Sequence, residues 1–205
     1  MIKIILVLLL PVIFGSVYSQ QPKIISDCTI TFSITSSLNE KSDNIGNKIL
    51  YIKGKDMRSD FISSKFSQSV FFNANTGKAT ILKTVGKSKY ISNYDAEQWK
   101  TLNAEYNGVK ISFTGNTKKI LEYDCKEALL TTLDGKPYTV YYVPTLMPSV
   151  SENAFQFKDV PGLILEYDAI IKENQKITYT ATQINFRPVP LVQFELPKEE
   201  YRVLQ

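Results

Sequence analysis

The sequence predicts a mainly β domain: one large antiparallel sheet, curled or split to cover its own apolar face, with a single covering helix. Three observations carry that expectation. Apolar and polar residues alternate with a period of two through most of the chain after residue 27. Turn residues such as Asn75-Thr76-Gly77, Asn107-Gly108 and Asp134-Gly135 punctuate the alternation. Only one stretch reads as a helix. About ten short strands joined by tight turns can bury their apolar sides only by curving the sheet or folding it on itself.

Taken in order, residues 1–19 read as a secretory signal. One positive charge at Lys3 precedes an apolar run from Ile4 to Phe14, and the small residues Gly15 and Ser16 lead to cleavage after Ser19. Pro11 interrupts the run, which is shorter than the ~20 residues of a membrane span. No cysteine follows Gly15-Ser16, so the lipobox of a bacterial lipoprotein is missing. The expected product is residues 20–205 as one domain, in the periplasm or outside the cell, with no transmembrane anchor after processing.

The first strand is expected over 28–36, where Ile30, Phe32 and Ile34 alternate with Thr29, Thr31, Ser33 and Thr35 and Cys28 shares the buried parity. Further strands are expected at 49–53, 58–63, 69–73, 79–85, 89–94, 109–113, 119–133, 138–143, 163–171 and 177–186. Turns are placed between them at Asn44-Ile45-Gly46, Asn75-Thr76-Gly77, Val85-Gly86, Asn107-Gly108, Gly115-Asn116, Asp134-Gly135 and Glu173-Asn174. Asp95 is an N-cap for a helix running towards Tyr106, with Trp99, Leu102 and Tyr106 spaced to face the sheet. Between Pro144 and Pro161 alternation stops, and the stretch reads as a long irregular connection.

Composition excludes several chemistries. The chain has 24 Lys+Arg against 20 Asp+Glu, a net of +4, too small for a nucleic-acid footprint. It has no histidine, which removes Ser-His-Asp and Cys-His nucleophile systems and His-containing metal sites. Cys28 and Cys125 are the only cysteines, an even pair in an exported chain, and read either as a disulfide or as two separate buried thiols. Glu166 and Asp168 share one strand face; alternation makes that the solvated outer face rather than a glycosidase pair. Pro161-Gly162 before a strand reads as turn chemistry, the glycine being free to take a positive φ.

The second half of the chain carries a resemblance. Residues 120–128, Ile-Leu-Glu-Tyr-Asp-Cys-Lys-Glu-Ala, are followed by Asp134-Gly135-Lys136 leading into Tyr138-Thr139-Val140-Tyr141-Tyr142. Then come Asp159-Val160-Pro161-Gly162-Leu163-Ile164-Leu165-Glu166-Tyr167, Thr180-Ala181-Thr182, and Phe194-Glu195-Leu196-Pro197 ahead of Tyr201. This order of motifs resembles the GLPGLI family and related exported bacterial families with a fold like that of LolA, the lipoprotein carrier. Gly54-Lys55-Asp56-Met57-Arg58 matches more loosely, as a hairpin bearing a Met-Arg pair, and Asp159-Val160 stand where the name-giving motif has Gly-Leu. The resemblance implies a LolA-like half-barrel, a strongly curved antiparallel sheet whose apolar concave side is partly closed by a helix. It implies no established activity and no cofactor.

The functional expectation is a non-enzymatic protein that binds or carries a hydrophobic ligand, an acyl chain, lipid or lipoprotein, in a concave apolar cavity. Its ligand-binding residues would be the aromatics Phe32, Phe72, Tyr142 and Tyr167, the helix residues Trp99 and Leu102 as a lid, and Arg58, which reads first as an exposed hairpin residue and otherwise as a donor to a lipid phosphate or a backbone carbonyl. That reading requires a continuous cavity under the Trp99 helix. The alternative is an envelope protein–protein interaction module with a packed core and an exposed apolar patch. A carboxylate-based hydrolase ranks last. Neither nucleic acid nor metal is expected.

Overall fold

The computed structural model describes residues 21–38, 41–172, 175–198 and 200–204. The expected signal segment and the Glu173-Asn174 turn lie outside the described residues. Fourteen strands are present among those described: β1 (Lys23–Ile25), β2 (Asp27–Leu38), β3 (Lys41–Lys53), β4 (Asp56–Ile62), β5 (Phe66–Asn73), β6 (Ala79–Val85), β7 (Ser88–Tyr94), β8 (Lys110–Ile120), β9 (Tyr123–Thr131), β10 (Pro137–Val143), β11 (Leu146–Pro148), β12 (Leu163–Lys172), β13 (Gln175–Asn185) and β14 (Arg202–Val203). Twelve form one large curved sheet in the order β14-β7-β6-β5-β4-β3-β2-β13-β12-β10-β9-β8, not closed into a barrel.

The mainly β expectation holds, but the sheet is not purely antiparallel. β14 joins the β7 edge in parallel, and β1 pairs β11 in a separate parallel ribbon. Both additions are two- or three-residue strands from segments without alternation, and tertiary pairing alone makes them strands.

Two expected turns prove to be bulges inside longer strands. The register of β3 against β2 shifts between Ile34 and Thr35, opposite Asn44 and Gly46, and that of β8 against β9 shifts between Phe113 and Thr117 around Gly115. Gly46 is needed there for close approach, because a Cβ would run into the Ile62 carbonyl oxygen. The strand expected at 119–133 is instead broken by a reversal at Leu121, whose φ of +53° is unusual for a branched residue.

The inner face of the sheet carries the core. Cys28, Ile30 and Phe32 of β2, Leu50 and Ile52 of β3, Met57 of β4 and Phe72 of β5 are buried together with Leu163 and Leu165 of β12. A second cluster unites Ala128, Leu130, Val140, Tyr142 and Tyr167 with Phe157 and Val160 of the irregular connection. Helix α1 (Ala96–Leu102) lies at the β7 end of this face. Its N-terminus is closed by a capping box: the Gln98 N–H donates to Asp95 Oδ1 at 2.9 Å and the Asp95 N–H donates to Gln98 Oε1 at 3.0 Å. The helix stops at Leu102, and a 3-10 turn, Ala104–Tyr106, continues the chain to β8.

Candidate functional site

The predicted ligand residues do not form one cavity. Phe32, Phe72, Tyr142 and Tyr167 are on the inner face as expected, but each is buried against protein. Trp99 packs across Phe72 and Tyr94, with ring centroids 6.3 and 5.8 Å apart, closing one end of the core. Leu102 turns away from the sheet and is 51% exposed. With the α-helix ending at Leu102, Trp99 takes the inward position and Leu102, three residues on, falls at its rim.

Arg58 lies on the opposite face, facing away from any inner cavity. Register pairs it with Tyr51 and Phe71, and its guanidinium sits 5.7 and 5.0 Å from their ring centroids. It donates to the Gln193 carbonyl at 2.7 Å and to Asp60 Oδ1 at 2.8 Å, so it fastens the C-terminal segment across the outer face. Of the two partners expected for it, the carbonyl is the one present.

The interior of the half-barrel is filled by its own chain. Residues 144–162 cross it, burying Val150, Phe157 and Val160 and leaving a cavity of about 160 Å³ lined by Leu50, Ile52, Val150, Glu152, Phe157 and Leu163 among others. That falls below the ~300–1,000 Å³ of small-molecule sites, and no α1 residue lines it, so it is not the cavity expected under the helix. Larger spaces lie elsewhere: one of about 610 Å³ between residues 44–47 and 61–66, and a groove of about 810 Å³ along α1, walled by Tyr94, Leu102, Val203 and Leu204 with Gln98 and Thr101 at its polar margin. Parallel addition of β14 to β7 creates this groove by carrying the C-terminal apolar residues to the outer flank of the helix.

One inner-face residue that sequence reasoning passed over is Lys48. It stands between Phe32 of β2 and Phe61 of β4, at the buried parity of Leu50 and Ile52, and is 3% exposed. Its ammonium donates to Tyr167 Oη at 2.9 Å, pairs with the Glu152 carboxylate, and lies 4.7, 5.0 and 5.4 Å from the ring centroids of Phe32, Tyr167 and Tyr179. The Tyr167 hydroxyl donates in turn to Glu152 Oε1 at 3.1 Å. Burial pushes the Lys48 amine well below the ordinary lysine range and the Tyr167 hydroxyl well above that of tyrosine. The available signal was parity, since extending the strand three residues upstream of Ile49 to Gly46 would have put a lysine among buried positions.

The remaining candidates resolve plainly. Cys28 and Cys125 are both free and buried; β13, β12 and β10 stand between their strands along the sheet, so of the bridged and separate readings the separate one is present. Burial pushes the Cys28 thiol up to about 12 and the Cys125 thiol up to about 11. Glu166 and Asp168 share the outer face but are each only 7% exposed, which corrects the solvated reading. Lys118 at 2.6 Å and Thr180 at 2.8 Å hold Glu166, while Thr178 at 2.9 Å and Lys176 at 2.8 Å hold Asp168, and these long side chains exclude water. Among the described residues no three metal-ligating side chains cluster, and no helix is long and apolar enough to cross a membrane.

No protein-family model matches the chain, and no curated protein matches it. Among solved structures, PNGF-II in two crystal forms superposes with TM-scores of 0.51 and 0.53 at 14% and 12% identity, over 86% of this chain and 31% of that one. The chain thus spans about a third of the length of PNGF-II. An uncharacterized conserved protein from Thermus thermophilus superposes with a TM-score of 0.51 at 9% identity, over 88% of this chain and 91% of that one. A LolA superfamily protein from Nitrosomonas europaea overlaps over 87% of this chain and 92% of that one, at 10% identity and a TM-score of 0.36, too loose to support any function. These are likenesses of fold, and they leave the GLPGLI family resemblance resting on its sequence motifs alone.

Proposed function

We propose that the protein is an exported, non-enzymatic binding protein that takes an acyl chain or similar apolar ligand in the groove beside α1, outside its packed interior. The observation that carries this reading is the contrast in volume: about 160 Å³ inside against about 810 Å³ along the helix. Tyr94, Leu102, Val203 and Leu204 offer apolar walls, and each methylene taken from water is worth ~0.8 kcal/mol. Trp99 touches Tyr94, so the sole tryptophan reports on the groove.

The test is titration of full-length mature protein with laurate and lysophosphatidylcholine, read by Trp99 emission. Saturable shifts that survive high salt are expected, with Leu102→Asp and Val203→Asp abolishing them and the exposed control Lys100→Ala leaving them intact. An unmoved Trp99 with every lipid overturns the reading. A second reading rests on the edge of β14 next to the groove, which pairs with no further strand among the described residues and where an extended apolar peptide could add as a strand and seat a side chain between Leu102 and Val203. It is supported if such peptides, and not lipids, shift Trp99.

A further inference from the structure

Lys48 is an anomaly in a face otherwise built from apolar and aromatic residues. Its strand neighbours, Phe32 and Phe61, bear no charge, and its counter-ion comes from the irregular connection 104 positions later. An ammonium so deeply buried is tolerated only while a carboxylate and polarisable ring faces compensate it.

The strap that supplies the carboxylate depends on side chains for its placement. Its base is tied down through β11 and by the Ser149 N–H donating to the Ile25 carbonyl at 2.9 Å. Beyond that, the backbone bonds of residues 150–162 close on themselves: Phe157 to Asn153, Val160 to Phe157 and Gly162 to Val160. Contact with the half-barrel is made by Val150, Phe157 and Val160, by Asn153 Nδ2 donating to Asn103 Oδ1 at 3.3 Å, and by Glu152.

We propose that Lys48, Glu152 and Tyr167 form an acid-released latch, in which proton uptake by Glu152 frees residues 150–160 and uncovers the aromatic inner face. The groups facing Lys48 are Glu152 from the strap, Tyr167 from β12 and Tyr179 from β13, with Tyr106 of the 3-10 turn coupled to both tyrosines and Lys158 exposed on the strap. Burial raises all three tyrosine hydroxyls, so they stay neutral in acid. Glu152 is the one carboxylate of the cluster, and the chain has no histidine to act in its place. Neutralising it strands the Lys48 ammonium in an apolar core, and swinging the strap away readmits water to it. The rings and the sheet hydrogen bonds do not titrate, so β2, β12 and β13 keep their structure.

Hydrogen exchange read by mass spectrometry, corrected for intrinsic rates and run on the mature protein at pH 7.5 and 3.0, tests the latch. Wild-type peptides covering 150–160 should lose protection about tenfold at pH 3.0 while β2 and β13 peptides keep theirs. Glu152→Gln should show the low strap protection at both pH values. Lys48→Met leaves the Glu152 carboxylate without its counter-ion, so its strap should be loose at neutral pH and tighten in acid, whereas Lys48→Met/Glu152→Gln removes both charges and should hold the strap at both. Strap protection that is unchanged between the two pH values in wild type, or that still falls in Lys48→Met/Glu152→Gln, overturns the proposal.

Discussion

Replacing Gly162 by alanine should destabilise the protein for a reason unrelated to φ. The sequence reads Pro161-Gly162 as a turn whose glycine is free to take a positive φ, yet Gly162 does not adopt one. What it provides is room. A Cβ at this position would stand 2.7 Å from Tyr142 Cδ2 and 2.8 Å from the Val143 carbonyl carbon, with the Val143 oxygen nearer still. Carbon atoms pack at roughly 3.5–4.0 Å, so about an ångström must be found from backbone that pairs Val143 with Leu163. Overpacking of this kind costs ~1–3 kcal/mol, and the obstruction is main chain, which puts Gly162→Ala near the top of that range. Restricting the unfolded chain returns ~0.4–1 kcal/mol, leaving a net loss of about 2 kcal/mol and a Tm lower by about 4–8 °C. The control is Gly135→Ala, at φ +80° with nothing within 4 Å, where only the left-handed backbone is penalised, by about 1 kcal/mol. Urea unfolding followed by Trp99 emission, with calorimetry alongside, measures both. If Gly162→Ala costs no more than Gly135→Ala, the close-approach argument is wrong.

Four further outcomes are expected. Native protein treated with iodoacetamide at pH 8 should leave Cys28 and Cys125 unmodified, both reacting after unfolding and neither found linked by non-reducing peptide mapping. Because the folded state holds those thiols protonated towards pH 12 and 11, their stabilisation is complete below the ordinary thiol range and is lost as pH rises through it, so stability should fall above about pH 8.5 and fall less in Cys28→Ala. Arg58→Ala removes the bond to the Gln193 carbonyl and should cost about 1–2 kcal/mol, with protection lost over residues 190–198 in hydrogen exchange and retained in β4 and β5. Trp99→Ala should cost about 3 kcal/mol in urea unfolding monitored by circular dichroism, and half-exposed Leu102→Ala no more than about 0.5 kcal/mol, although both sit on one short helix.

Period-two alternation by itself determined that the chain is a β protein, and capping chemistry that Asp95 opens its helix, because each of these is decided by neighbours a few residues away. The same locality explains the errors. Gly46 and Gly115 look like hairpin glycines, and only the partner strand reveals that they sit in bulges. β1, β11 and β14 have no pattern to read, since two- and three-residue strands exist only through the segment they pair with. For the site, the aromatics Phe32, Phe72, Tyr142 and Tyr167 were correctly assigned to the inner face by parity, but whether that face is hollow depends on where residues 144–162 lie, and an irregular connection carries no periodicity that would say. Leu102 and Trp99 part company because the helix is only seven residues long. Lys48 became visible last of all: its meaning comes from Glu152, Tyr167 and Tyr179, which folding brings from distant positions to one ammonium, and a buried charge is recognisable only once the groups that compensate it are in place.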